Sequence, residues 1–259
     1  MQSTSPSSGQ FEVFFTDPLY LTYKNFLYNF LVRRFVIRKE LGKVNVGRIL
    51  ELGCGISPML EPNARTVQTD ISLNALKHLV SQSRERHVYR SVNCDGVRLP
   101  FLSESFDFIV CSEVIEHVQE DEKLLIEIIR ILKKEGKLLL TCPVHRKYFG
   151  FDDQFVGHFR RYEIGPMQER LSRLGMREIH VIPLLGSLEK TIMDKVTRVF
   201  AATKRKKQTG FGTLARLCAF VALPLYIVLN GFLAALIYLQ GRLSSLETVT
   251  TVCFQCQKG

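Results

Sequence analysis

Short apolar runs recur along the chain and alternate with segments of helical period. Arg48–Leu52, Thr66–Thr69, His87–Val92, Phe106–Cys111, Lys137–Cys142, Arg177–Pro183 and Thr248–Gln255 predict strands. Helical patterns at Leu73–Ser83, Glu120–Lys133 and Gly165–Leu174 fall between them, the last with Pro166 near its start and Gly175 just past its end. Strand and helix in alternation predict a parallel sheet covered on both faces, an open, doubly wound α/β core spanning residues 46–185.

The alternation fails at both flanks. Residues 1–10 are Ser-rich, with neither a basic start nor an apolar segment, and predict a disordered tail rather than a secretory signal. Residues 11–45 are crowded with aromatics (Phe14, Phe15, Tyr20, Tyr23, Phe26) and carry Arg33, Arg34 and Arg38; they predict a helical cap on the core. Residues 186–246 form an insertion before the closing strand of residues 247–259. It opens with an amphipathic helix in which Leu188, Ile192, Val196, Val199 and Phe200 share a face, followed by the basic run Lys204–Lys207. Then 25 residues between Arg216 and Arg242 carry no charge, enough to span a bilayer, which takes about 20 apolar residues.

Composition narrows the class. At 259 residues, with 46% hydrophobic and 23% charged, the chain suits one core plus an appendage and excludes wholesale disorder. Seven cysteines, several of them inside apolar runs, read as small core residues of a reducing, cytoplasmic compartment. Cys253 and Cys256 lack the second pair that a zinc ribbon needs, and in a strand they face opposite sides. The net charge of +10 gathers around the apolar insertion, and no zinc-finger, RNA-recognition or helix-turn-helix pattern appears, which argues against a nucleic-acid partner.

The chemistry sits at the strand ends. Ile49-Leu50-Glu51-Leu52-Gly53-Cys54-Gly55 is an apolar strand ending in a Gly-x-Gly turn, where a side chain would obstruct a ligand approaching the backbone. Pro58 stands where a dinucleotide fingerprint has its third glycine, against a nicotinamide-dependent oxidoreductase. Asp70 ends the second strand, where a carboxylate can accept from two ribose hydroxyls; Asp95 ends the third, within reach of an exocyclic amine. Ser112 and Glu113 follow the fourth.

These motifs, with Phe106-Asp107, Leu132–Leu138 and His158-Phe159-Arg160-Arg161-Tyr162, resemble the class I S-adenosylmethionine-dependent methyltransferases, in particular the small-molecule group that includes quinone-biosynthesis enzymes. The resemblance covers about Val46–Pro183 and the terminal strand. It implies a seven-stranded, mostly parallel Rossmann-like sheet with an antiparallel last strand, and S-adenosyl-L-methionine as donor. It places the donor against Glu51, Gly53, Cys54, Gly55, Asp70, Ile71, Asp95, Gly96, Ser112 and Glu113. Ser57 departs from the third glycine of many members.

Methyl transfer from a sulfonium is an in-line displacement, so the protein mainly aligns nucleophile, carbon and sulfur and excludes water. A hydroxyl acceptor needs its proton taken, and Glu113, Glu116 and His117 would share one face of a helix just past the fourth strand. In the quinone-pathway O-methyltransferases a similar Glu-x-x-Glu-His segment is associated with a divalent metal, so base, metal and simple packing roles stand side by side for His117; no metal ligand is assigned. Arg160 and Arg161 either pair an anionic group of the acceptor or bridge to the body of the fold.

A single bilayer crossing by residues 217–241 would put the closing strand on the wrong side of the membrane. The segment is therefore expected to enter and return, broken at Pro224 and Asn230-Gly231 as a hairpin, or to lie along the interface. The competing possibility is a soluble cap or dimer contact. The sequence thus points to a cytoplasmic methyltransferase, peripheral or monotopic on a membrane surface, acting on a small or lipid-like acceptor. The alternative is a non-catalytic, methyltransferase-like assembly protein, and the oligomeric state is open.

Overall fold

The computed structural model describes residues 23–43, 47–82, 90–206 and 213–259. The expected tail, the aromatics before Tyr23, the start of the third strand and Lys207 lie outside these residues, as do the side chains of Val199, Phe200 and Lys204–Lys206.

Seven strands form one sheet: β1 (Ile49–Leu52), β2 (Thr66–Asp70), β3 (Arg90–Asn93), β4 (Phe106–Ser112), β5 (Leu132–Pro143), β6 (Met176–Gly186) and β7 (Val249–Lys258). Their order is β3-β2-β1-β4-β5-β7-β6. The first five are mutually parallel, and β7 runs antiparallel to both β5 and β6. The strand order reverses between β1 and β4, so the carboxyl ends of these two strands flank the crevice where such sheets receive ligands.

Strand alternation splits the core into two layers. Leu50, Leu52, Ile109, Cys111, Leu138, Leu140, Phe254 and Cys256 face one side, against α3 (Asp121–Ile131) and α5 (Ile164–Arg173). Ile49, Phe108, Val110, Leu139 and Cys253 face the other, against α1 (Tyr28–Leu41) and α7 (Thr213–Leu243). Cys253 and Cys256 thus point into opposite layers, as a strand spacing of three requires. Among the described residues the remaining α-helices are α2 (Leu73–Gln82), α4 (Phe151–Val156) and α6 (Ser187–Lys206).

The insertion departs from the hairpin expectation. α7 is a single 31-residue helix that runs through Pro224 and past Asn230-Gly231. Asn230 accepts the Tyr28 amide on Oδ1 at 3.2 Å and donates from Nδ2 to Tyr226 O at 3.0 Å, so tertiary docking uses the residue that would otherwise begin a turn. On the inner face Ala234 and Ile237 are buried, and Gly241 lies so close to β6 that a Cβ there would meet Leu184 O at 2.6 Å. On the outer face Leu225, Val228, Leu229, Phe232, Leu236, Leu239 and Leu243 are exposed, Phe232 at 73%.

Candidate active site

The glycine turn is built by its neighbours. Gly53 (φ +70°) and Gly55 (φ +55°) both take left-handed backbone, and a Cβ on Gly53 would lie 2.3 Å from Val114 Cγ2 in the loop past β4. Beneath the turn, the buried Glu51 carboxylate accepts from the amides of Met59 at 2.6 Å and Leu60 at 3.2 Å. Burial raises the Glu51 pKa to about 7. Asp70, at the tip of β2, accepts from Gly55 N at 2.7 Å on one oxygen and from Ser72 N at 2.8 Å on the other. These two bonds fix the orientation of the carboxylate at the strand tip. Ile71 beside it is 44% exposed, an apolar surface next to the acid.

Asp95 is exposed past β3, its Oδ1 accepting Val97 N at 3.1 Å in a tight turn. A Cβ on Gly96 would press on Leu124 Cδ1 at 2.7 Å, which holds that turn close to the core. Cys54 differs from its expected role. Its amide donates to Thr69 O at 3.0 Å, and its thiol is buried with Leu76 and Leu79, so both groups are used internally. Glu51 likewise supports the turn from behind.

Past β4 the backbone strains. Glu113 is a non-glycine residue at φ +55°, a conformation that persists where its surroundings over-determine it. Its carboxylate accepts from Thr141 Oγ1 at 3.0 Å and pairs with Arg33 Nη1 of α1 at 3.1 Å, while Ser112 Oγ and Thr141 Oγ1 are 2.8 Å apart. The residues beyond form a 3-10 turn, Ile115–His117, rather than a longer helix. Glu116 is fully buried, and desolvation together with Glu113 raises its pKa well above the carboxylate range. Burial, with His158 adding to it, lowers the His117 pKa to about 3, which makes this imidazole a weak resting base.

Arg160 and Arg161 take the structural alternative. Arg160 donates to Asp121 Oδ2 at 3.0 Å and Gln119 O at 3.1 Å. The buried Arg161 donates to Asp153 at 2.9 Å and to Thr250 O at 3.1 Å. His145 bonds Glu163 Oε2 at 3.2 Å and Leu246 O at 2.7 Å, in an open surface hollow of about 310 Å³.

Three contributors had no local sequence signal: Arg33 from the cap, Thr141 from β5 and Glu189 from α6. Glu189 is buried beside Thr250, 3.5 Å from its hydroxyl, and burial raises its pKa to about 7. Lys190, next in the chain, pairs with Asp152 and with Asp153 Oδ2 at 2.7 Å. The first helix of the insertion is thereby tied to α4 and β7.

The strand order, the left-handed glycine turn and the acids at adjacent strand tips define a class I methyltransferase fold. Residues 50–140 match the family model described as methyltransferase domain. A demethylmenaquinone methyltransferase of Streptomyces griseus is 33% identical over 98 residues, 36% of this chain and 41% of that protein. An uncharacterized protein of Methanocaldococcus jannaschii is 34% identical over 113 residues, 43% of this chain and 44% of its own length. Among solved structures, phosphoethanolamine N-methyltransferase 2 of Haemonchus contortus in complex with S-adenosyl-L-methionine superposes with a TM-score of 0.61 at 18% identity, covering 96% of this chain and 60% of that one. The chain spans less than half the length of either of these two relatives. Over residues 50–140 it is similar to the methyltransferase-domain family, on a sheet of the Rossmann-like methyltransferase fold.

Proposed function

We propose that the protein transfers a methyl group from S-adenosyl-L-methionine to a small, lipid-like acceptor at a membrane surface. The observation that carries the donor assignment is the left-handed turn at Gly53 and Gly55, bonded through Gly55 N to the acid that ends the adjacent strand. The residues fit the donor: Asp70 ends β2 beside the glycine turn, where a carboxylate can accept from ribose hydroxyls, Ile71 offers an apolar surface to the base, and Asp95 is exposed for its exocyclic amine. Gly96 shapes the Asp95 turn, and Ser112 and Glu113 stand toward the donor's amino-acid end. The donor supplies the activated methyl; the chain holds the partners in line and keeps water away. Glu113, Glu116 and His117, just past β4, are the residues proposed to serve the acceptor's proton.

Membrane attachment is supported by the outer face of α7. Leu223–Leu243 has a mean hydropathy of 1.7, yet only 17% of that stretch is buried. Its inner face is held by α1 and β6 and the chain continues into β7 within the sheet, so α7 lies along an interface rather than across one. The net charge of +10 favours an anionic, cytoplasmic leaflet.

Calorimetric titration with S-adenosyl-L-methionine tests the donor site. Asp70→Ala is expected to weaken binding by about 1.5–3 kcal/mol for each charge-assisted hydrogen bond lost, and equal affinity would reject the assignment. Incubation with labelled donor and a lipid extract tests the acceptor class, through the fraction that gains label. Flotation with anionic vesicles tests attachment: Leu229→Asp combined with Phe232→Asp should leave the protein unbound.

A further inference from the structure

His145 holds a backbone conformation and a pair of partners that its place in the chain does not require. It is a non-glycine residue at φ +60°, just past β5, where left-handed backbone persists only if the surroundings hold it. Its amide donates to Tyr162 O at 2.7 Å, and the preceding amide, on Val144, donates to Thr250 O at 2.9 Å. The side chain is 14% exposed and reaches two further segments. Nδ1 lies 3.2 Å from Glu163 Oε2, at the start of α5, and Nε2 lies 2.7 Å from Leu246 O, in the link between α7 and β7.

Both partners can only accept. A backbone carbonyl has no hydrogen to give. The Arg146 amide, donating to Glu163 Oε1 at 2.9 Å, holds the Glu163 carboxyl below the usual carboxylate range, so that group is ionised. A neutral imidazole carries one donor and one lone pair; it can satisfy one of these oxygens while setting its lone pair against the other. Only the imidazolium bonds both. The charged groups around the ring are Glu163 beside α5, Glu247 in the link, and Arg146 and Lys147 in its own turn, two of each sign; the Tyr148 ring lies beside it, with ring centres 6.1 Å apart.

We propose that His145 is a pH-sensitive latch: as the imidazolium it ties the α7–β7 link to the start of α5, and it lets go of one of the two as pH rises and the ring loses a proton. β7 runs antiparallel to β5 and so begins where β5 ends, at the same end of the sheet as the carboxyl end of β4. The link therefore joins the exposed end of α7, with Leu243 and Leu246 both facing outward, to the crevice end of the sheet. A neighbouring strap, Lys147 Nζ to Glu247 O at 2.9 Å, contains no imidazole, so the pH response belongs to His145. The latch stands on these bonds whether or not the chain transfers methyl groups.

The test is hydrogen exchange of the whole protein from about pH 5 to about pH 8, the span in which an ordinary imidazole titrates, together with nitrogen NMR of the histidine rings. The ring signal missing from His145→Asn, a substitution that tolerates left-handed backbone, identifies His145. It is expected to show both nitrogens protonated at the low end and one at the high end. Over the same span, protection of the Thr248 and Val249 amides, both bonded to Ser245 O, should fall about 10-fold or more relative to the amides of β4, the size of one hydrogen bond to a charged group. His145→Asn should show the low protection at every pH. Glu163→Gln should keep the high protection at the high end, because its amide N–H can donate to the neutral ring while its carbonyl still accepts from Arg146. Circular dichroism identifies the variants that stay folded, and His145→Gln is read where His145→Asn does not. A ring that is neutral throughout, or protection in the parent protein that does not change with pH, would overturn the proposal. So would a pH step that persists undiminished in a folded His145 variant or in Glu163→Gln.

Discussion

The two halves of the sheet position their functional groups by different means. From β1 to β3, backbone does the work: a left-handed turn, amides donated to Glu51 and Asp70, and acids at successive strand tips. Around β5 to β7, side chains do it, through ion pairs that join distant segments: Arg33 with Glu113, Arg161 with Asp153, and Lys190 with Asp152 and Asp153. A backbone-built site depends on local geometry and reappears wherever the motif does. A site built from long-range pairs depends on each partner and can be rebuilt from one protein to the next.

Substitutions can break or sharpen this contrast. The largest effect is expected for Arg161→Ala, which leaves Asp153 buried with less compensation and should cost about 3–5 kcal/mol in urea unfolding, without changing donor affinity in the folded protein. A cost under about 1 kcal/mol would place the pair with surface ion pairs and dissolve the contrast. Gly53→Ala should cost less, about 1–3 kcal/mol for the left-handed backbone, with more from the clash with Val114; in contrast to Arg161→Ala, it should also abolish donor binding by calorimetry.

The smallest effect is a pH dependence. Glu189 has its pKa raised from 4.5 to about 7, so the folded state holds a proton that the unfolded state has released. The stability this provides is complete below 4.5 and is lost as pH rises through about 7. Glu189→Gln removes the titration. The melting temperature of the variant relative to the parent should therefore rise from pH 4 to pH 8, and an unchanged difference across that range would remove Glu189 from the buried network.

The sequence disclosed the backbone-built half well because its signals are local. Alternating apolar residues marked β1 to β4 within a few residues of their observed ends, and the acids of the second and third strands fall at or just beyond their tips. Position in a motif does not say which atoms are already bonded, so the bond from the Cys54 amide to Thr69 O had no signal in the sequence. The other half was less legible. Arg33 and Glu113 lie 80 residues apart, and no pattern in either segment anticipates their meeting. Pro224 and Asn230-Gly231 read as breakers, yet docking against α1 and β6 kept α7 whole, a tertiary override of local propensity.

The position of β7 between β5 and β6 affects how the molecule is made. Among the described residues β6 pairs with no other strand, and β7 follows α7 in the chain. Synthesis therefore delivers a long greasy helix before the strand that lets β6 join its neighbours. In that interval the ribosome holds a nascent chain with two open sheet edges and an uncovered apolar face, the moment when it is most exposed to aggregation or to capture by a chaperone.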